Sequence, residues 1–259
     1  PYALLIVLML LYTRVDGVML ERMLIKGAYE SGVYAQGFRL LDALYMFGMI
    51  FAGLLFPLFS KQLRESIPAV LELVKTSANL LLSGVLIIIF ITCYNSSFLL
   101  GLIYSDYQEA IEPFQFLMLG FFPICMNFIF GTLLTANGNL KALNFISLGG
   151  IIANVCINLW LIPKYGALGA AIATFFTQLV TAILQYFYCV VKFKIPIKII
   201  GFLKFAVLIV GLFGVSHYFN NSDYLILLQL IVGFFLTFTL SLIDLSSMKE
   251  LYFSSRRIK

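Results

Sequence analysis

An all-α membrane protein, a polytopic bundle of about eight transmembrane helices, is the fold class that three features of this 259-residue chain predict. Hydrophobic residues make up 62% of it, charged residues 11%, and the mean hydropathy is +1.02. A soluble domain averages about 45–50% apolar and about 25% charged. Apolar runs of about 20 residues, the length that crosses a bilayer, recur along the whole chain. The breaks between them carry turn chemistry, as in Ala136-Asn137-Gly138-Asn139 and Pro163-Lys164-Tyr165-Gly166, where Gly and Pro end helices.

The spanning windows fall at 2–25, 34–58, 77–101, 114–136, 142–162, 167–191, 200–219 and 224–245. The short breaks at 137–141 and 163–166 predict antiparallel hairpins. Orientation follows the Lys and Arg of the connections. Lys61, Arg64, Lys75, Lys141, Lys192, Lys194, Lys198, Lys204, Lys249, Arg256, Arg257 and Lys259 share one side if the helices alternate. That side is expected to be cytoplasmic, with both chain ends on it. The opposite side holds Lys26 and Lys164, with Arg22 near a helix end, together with Asp106, Glu109 and Asp223. Pro1 opens directly on an apolar run with no basic n-region before it. A signal peptide is therefore not expected, and the chain reads as a piece of a longer protein.

The first window holds Arg14, Asp16 and Glu21, ionisable groups that are costly inside a bilayer unless they face a bundle interior or a water-filled cavity. Arg14 and Glu21 share a stripe, whereas Arg14 and Asp16 diverge by about 200°. At most one of that second pair points into a central cavity. The second window holds Gln36, Arg39 and Asp42, and the spacing of Arg39 and Asp42 predicts a local ion pair. These groups read either as structural ion pairing between two helices or as a hydrated, partly cationic site.

In the fourth window Pro123 of FFPICMNF is expected to kink the helix, and Asn127 follows it. Asn154 and Asn158 share one face of the fifth window; Thr174, Gln178, Thr181 and Gln185 form a stripe in the sixth. Helix–helix hydrogen bonding is the first reading of these amides, cavity lining the second. The small residues of GALGAAIAT suit close helix contacts. The windows after residue 200 carry no mid-membrane charge, since Lys204 and Asp244 lie near ends where they can snorkel. They read as lipid-facing additions.

Enzyme chemistry is not expected. The single histidine, His217, sits at a helix end beside Tyr218, and HExxH, GxSxG and phosphate-loop motifs are absent. Cys93, Cys125, Cys156 and Cys189 lack metal-ligand spacing and read as small buried hydrophobes. No metal, cofactor or nucleic-acid partner is implied.

Two stretches carry a family resemblance. VDGVMLERML followed by ESGVYAQGFRLLDALY resembles the opening of the second lobe of bacterial polysaccharide flippases. NVCINLWLIPKYGALGAAIATFFTQLV is similar to the same family more strongly, with an Asn-rich helix end, Leu-Ile-Pro, a Tyr-Gly turn and a small-residue helix start in succession. The family belongs to the multidrug, oligosaccharidyl-lipid and polysaccharide exporter superfamily. The resemblance implies a V-shaped pair of six-helix lobes with two extra C-terminal helices. Residues 1–191 would be the second lobe, 192–245 the accessory helices and 246–259 a basic cytoplasmic tail.

The same resemblance implies an undecaprenyl-pyrophosphate-linked oligosaccharide as substrate, flipped across a bacterial inner membrane by alternating access. Its implied partners are membrane lipids, a missing N-terminal lobe, and polysaccharide polymerase and glycosyltransferases of the same pathway. Carried over by position, Arg14, Arg39, Gln36, Asn127 and Asn158 would line the cavity, and Asp16, Asp42 and Glu21 would be the ion-coupling candidates. Arginine suits the pyrophosphate because its planar fork donates paired, charge-assisted hydrogen bonds. The competing readings are a drug or small-molecule antiporter of the same superfamily, a membrane enzyme and a non-transporting lipid-binding scaffold. The arginines count against the first, the lack of a catalytic cluster against the second.

Overall fold

A computed structural model describes residues 14–196, 199–219 and 224–243. These residues form helices and no strand. In chain order they are α1 (residues 14–23), α2 (Gly27–Glu65), α3 (Ile67–Tyr94), α4 (Ser96–Gly101), α5 (Ile111–Ala136), α6 (Leu140–Phe193), α7 (Ile199–Tyr218) and α8 (Leu225–Thr239). Five of these stretches are long and apolar enough to cross a membrane, and α8 is a shorter apolar helix. Residues 2–13 of the first window, Lys198, Asp223, Asp244 and the 246–259 tail lie outside the described residues.

The protein is an all-α bundle centred on α5, which packs against α2, α3 and α6. α2 meets the core along a seven-residue period, burying Tyr34, Leu41, Gly48, Leu55 and Gln62. That spacing keeps one narrow seam facing a neighbouring helix. At Gly37 the two backbones come so close that a Cβ would sit 3.0 Å from the Cα of Phe114. α5 continues through Pro123 as one helix.

The connection expected over 59–76 does not exist. Lys61 and Arg64 lie in α2 and Lys75 in α3; only Ser66 separates the two helices. Hydropathy marks where an apolar run stops, not where a helix stops. Polar residues continue α2, helped by the Lys61–Glu65 pair at 3.7 Å one turn apart. Ser66 is extended, its Oγ accepts from the Ala69 amide at 3.4 Å, and proline stands in the first turn of α3, a favoured helix start. The third window also differs: its helix starts ten residues earlier and yields at Asn95 to the short α4.

α6 is a helical hairpin. Its 54 residues would span about 81 Å as a straight helix. Instead Gly166 (φ 53°, ψ −130°) breaks it into arms at 140–165 and 167–193. The chain folds back so tightly that a Cβ on Gly169 would lie 2.5 Å from the Leu161 carbonyl oxygen. Glu30 of α2 reaches this corner, and its Oε2 accepts from the Ala167 amide at 2.8 Å. A carboxylate at the start of the second arm satisfies an orphan helix donor and complements the helix dipole.

The final helices are not bland. α7 and α8 pack on α3 through a second apolar cluster that includes Leu86, Ile87, Leu208, Leu212 and Leu242. Beside it runs a polar seam. Fully buried Gln229 accepts from Asn95 Nδ2 at 3.0 Å and donates from Nε2 to Ser216 Oγ at 2.8 Å. One amide thus joins α8 to both α3 and α7. Interhelical hydrogen bonds in membranes contribute about 0.6 kcal/mol and at most about 1.7 kcal/mol. Gln229→Leu should therefore lower stability by about 1 kcal/mol, read as an earlier thermal unfolding midpoint in detergent, and Asn95→Leu added to it should cost little more.

Candidate functional site

α1 lies antiparallel along one stripe of α2 formed by Tyr34, Phe38 and Asp42, successive residues one helical turn apart. Tyr34 reaches Asp16, while Phe38 and Asp42 reach Arg14. The Arg14 Nη2–Asp42 Oδ2 pair is 3.1 Å long, and the guanidinium also sits 5.4 Å from the Phe38 ring centroid. Both side chains remain largely exposed, at 67% and 41%, a setting in which such pairs contribute little stability. The divergence of Arg14 from Asp16 thus resolves into an exposed arginine and a buried aspartate.

Asp16 is 1% exposed and is a four-helix-segment junction. Its Oδ2 accepts from Tyr34 Oη of α2 at 3.1 Å and from Thr174 Oγ1 of the second α6 arm at 2.5 Å. Its Oδ1 accepts from Asn158 Nδ2 of the first α6 arm at 2.6 Å. The same Nδ2 donates to Asn154 Oδ1 at 3.0 Å, one turn away on that arm. Every donor is neutral, and among the described residues no lysine, arginine or histidine pairs with Asp16. Asn158 Oδ1 and Asn154 Nδ2 are buried without a hydrogen-bond partner. Burying a charge in this way costs several kcal/mol unless something compensates it. An oxygen-rich cluster of carboxylate, hydroxyls and amide carbonyls is suited to a proton or a small hard cation.

Both arms of α6 can reach one carboxylate only because the chain reverses at Gly166. Asp16 and Asn158 lie eight residues before a turn, and Tyr34 and Thr174 eight residues after one, counted from Leu24, Gly166, Lys26 and Gly166 in that order. Each is therefore about 12 Å from the same end of the bundle. That equal offset is the sequence signal that could have gathered the four residues. Tyr34 was not singled out from sequence, and Asn154 and Thr174 were assigned only to helix stripes.

The remaining sequence candidates separate. Arg39 and Asp42 do not pair: Asp42 shares a stripe with Phe38 and is taken by Arg14, while Arg39 is exposed on another face. Arg39 and Gln36 line a pocket of about 390 Å³ between α2 and the 104–110 segment. Asn127 is not on an open cavity. It donates to Gln178 Oε1 at 3.0 Å and Thr181 Oγ1 at 3.3 Å across the α5–α6 interface. Glu21 is exposed near the end of α1, away from Asp16. Cys125 and Cys189 are buried as expected of small apolar residues, but Cys156 is exposed, on the outer face of the first α6 arm.

Comparison with protein-family models, curated proteins and solved structures returns no match to this chain.

Proposed function

We propose that this chain is one lobe of an ion-coupled exporter that flips an undecaprenyl-pyrophosphate-linked oligosaccharide to the outer leaflet. The observation that carries the reading is Asp16: a fully buried carboxylate held by neutral donors from α2 and both arms of α6, with no counter-ion among the described residues. Ionisable groups so placed in membrane helices characteristically mark ion or proton pathways. A proton or a small monovalent cation taken up there would relieve the buried charge. It would also change how tightly α1, α2 and α6 are held together, which is what alternating access requires of a coupling site.

The substrate class rests on the family resemblance and on the exposed face of α1 and α2. Arg14, Arg39 and Asp42 cannot favourably face acyl chains. A second lobe across a hydrated cleft would give them water and a pyrophosphate to bind. A multidrug antiporter would share the coupling carboxylate, but the two arginines favour an anionic headgroup.

Export of surface glycan by the complete protein, in cells lacking their own exporter, tests this reading. Arg39→Ala should reduce export at least about tenfold, the equivalent of one lost charge-assisted hydrogen-bond pair at about 1.4 kcal/mol. Arg39→Lys, which keeps the charge but loses the fork, should reduce it less. Export at the parental rate by Arg39→Ala at matched expression would refute the assignment of Arg39.

A further inference from the structure

The pocket between α2 and the 104–110 segment has a charge layout of its own. Tyr29, Gly32, Gln36 and Arg39 form one stripe of α2, and Tyr104, Asp106 and Glu109 form the facing wall. Gln36 Nε2 pins that wall to α2 by donating to the Asp106 carbonyl oxygen at 2.9 Å. Gln36 Oε1 is buried and has no hydrogen-bond partner. A side chain at Gly32 would meet nothing within 4 Å, so the floor is open. Arg39 stands about 15 Å along the helix from Tyr29, toward the apolar part of α2. Beyond it the exposed residues of α2 turn apolar: Met46, Phe47, Ile50 and Leu54.

Read from the membrane outward, the order is apolar stripe, guanidinium, then two carboxylates with two phenols. That is the inverse of an ethanolamine phospholipid, whose acyl chains, phosphate and ammonium follow in the same direction. We propose that this pocket binds the headgroup of such a zwitterionic phospholipid. Its phosphate would lie on Arg39, its ammonium between Asp106 and Glu109, and an acyl chain along Phe47, Ile50 and Leu54. An ammonium can divide its three N–H donors between the Asp106 and Glu109 carboxylates; a choline headgroup has no N–H to give them. An anionic glycerol headgroup presents no cation to the two carboxylates. The pocket should therefore rank ethanolamine above choline above glycerol headgroups.

This inference goes beyond the transport reading and shares only Arg39 with it. The deciding variants are therefore at Asp106 and Glu109, so failure here leaves the export reading standing. The probes are phosphatidylethanolamine, phosphatidylcholine and phosphatidylglycerol with identical acyl chains, offered to the full chain in mixed-lipid nanodiscs. Retained lipid is read by native mass spectrometry after release into detergent. The unaltered protein should retain the ethanolamine lipid over the glycerol lipid at least about tenfold. Asp106→Asn with Glu109→Gln should reverse that preference toward the glycerol lipid, because only the cation of Arg39 then remains. Arg39→Gln should lose both lipids. A photoreactive ethanolamine lipid should label residues 28–39 of the unaltered protein and not of the double variant. Equal retention of all three lipids, or ethanolamine selectivity that survives the double variant, overturns the proposal. Labelling by an amino-sugar probe that outcompetes the lipid also overturns it, since the pocket would then be a glycan site.

Discussion

Asp16→Asn should abolish ion-coupled export while leaving the protein folded. Asparagine is nearly the same shape, and the Tyr34 and Thr174 hydroxyls, which now donate to Asp16, can rotate to accept from an amide. What is lost is the charge. Moving one elementary charge across 100 mV supplies about 2.3 kcal/mol, or roughly a fiftyfold gradient, and the variant forfeits that drive. Glycan export should fall to that extent, with the thermal unfolding midpoint close to that of the parent. Asp16→Leu makes the contrast. It removes the acceptor that Tyr34, Thr174 and Asn158 share; Tyr34 and Thr174 can turn to each other and Asn158 keeps Asn154, but buried donor hydrogens are left over at about 1–3 kcal/mol each, and the variant should accumulate poorly. Parental export by Asp16→Asn would reduce the junction to a structural knot.

Gly166→Ala should be strongly destabilising for a single added methyl. The backbone there (φ 53°, ψ −130°) is one that side-chain-bearing residues rarely adopt, at a cost of about 1–3 kcal/mol. The new Cβ would also collide with Glu30 Oε2. Glu30 can swing away, but it then releases the Ala167 amide, for about 1 kcal/mol more. The variant should melt earlier in detergent and should export poorly, because the reversal at Gly166 is what brings Asn158 and Thr174 to one carboxylate. Glu30→Gln keeps an acceptor for Ala167 and should melt much closer to the parent.

How far the sequence carried these conclusions depends on which physical quantity each one needs. Helical periodicity alone placed Asn154 with Asn158 and Thr174 with Gln178 and Thr181, and the turn residues at 163–166 anticipated the hairpin. Local spacing misled at Arg39 and Asp42. Three residues is a permitted pairing distance, but Asp42 lies under Phe38, and α1 delivers Arg14 there. Which of Arg14 and Asp16 is buried depends on the packing of α2 and α6 around α1, information that no window on α1 contains. Hydropathy overestimated the break before α3 because it senses apolar composition and not the helix, and a single extended residue, Ser66, turns the chain. Gln229 sits alone in the apolar run Leu225–Gly233 and was passed over; a single amide in such a run is itself a reason to look for a helix-to-helix contact.

The Asp16 junction also sets a timetable for biosynthesis. Asn158 follows Asp16 by 142 residues and Thr174 by 158. At about 5–20 residues per second of translation, the carboxylate waits about 7–30 s for them. Tyr34, 18 residues on, arrives within seconds and is its first ligand. Until α6 emerges, α1 carries an acid that adds about 2.5–3.5 kcal/mol to insertion at a helix centre. The α1–α2 hairpin must then be held beside the translocon or at the membrane surface, and the arm beginning at Ala167 closes the junction last. A nascent chain cut short before Thr174 therefore displays an unsated buried acid, a mark by which membrane quality control can tell an unfinished bundle from a finished one.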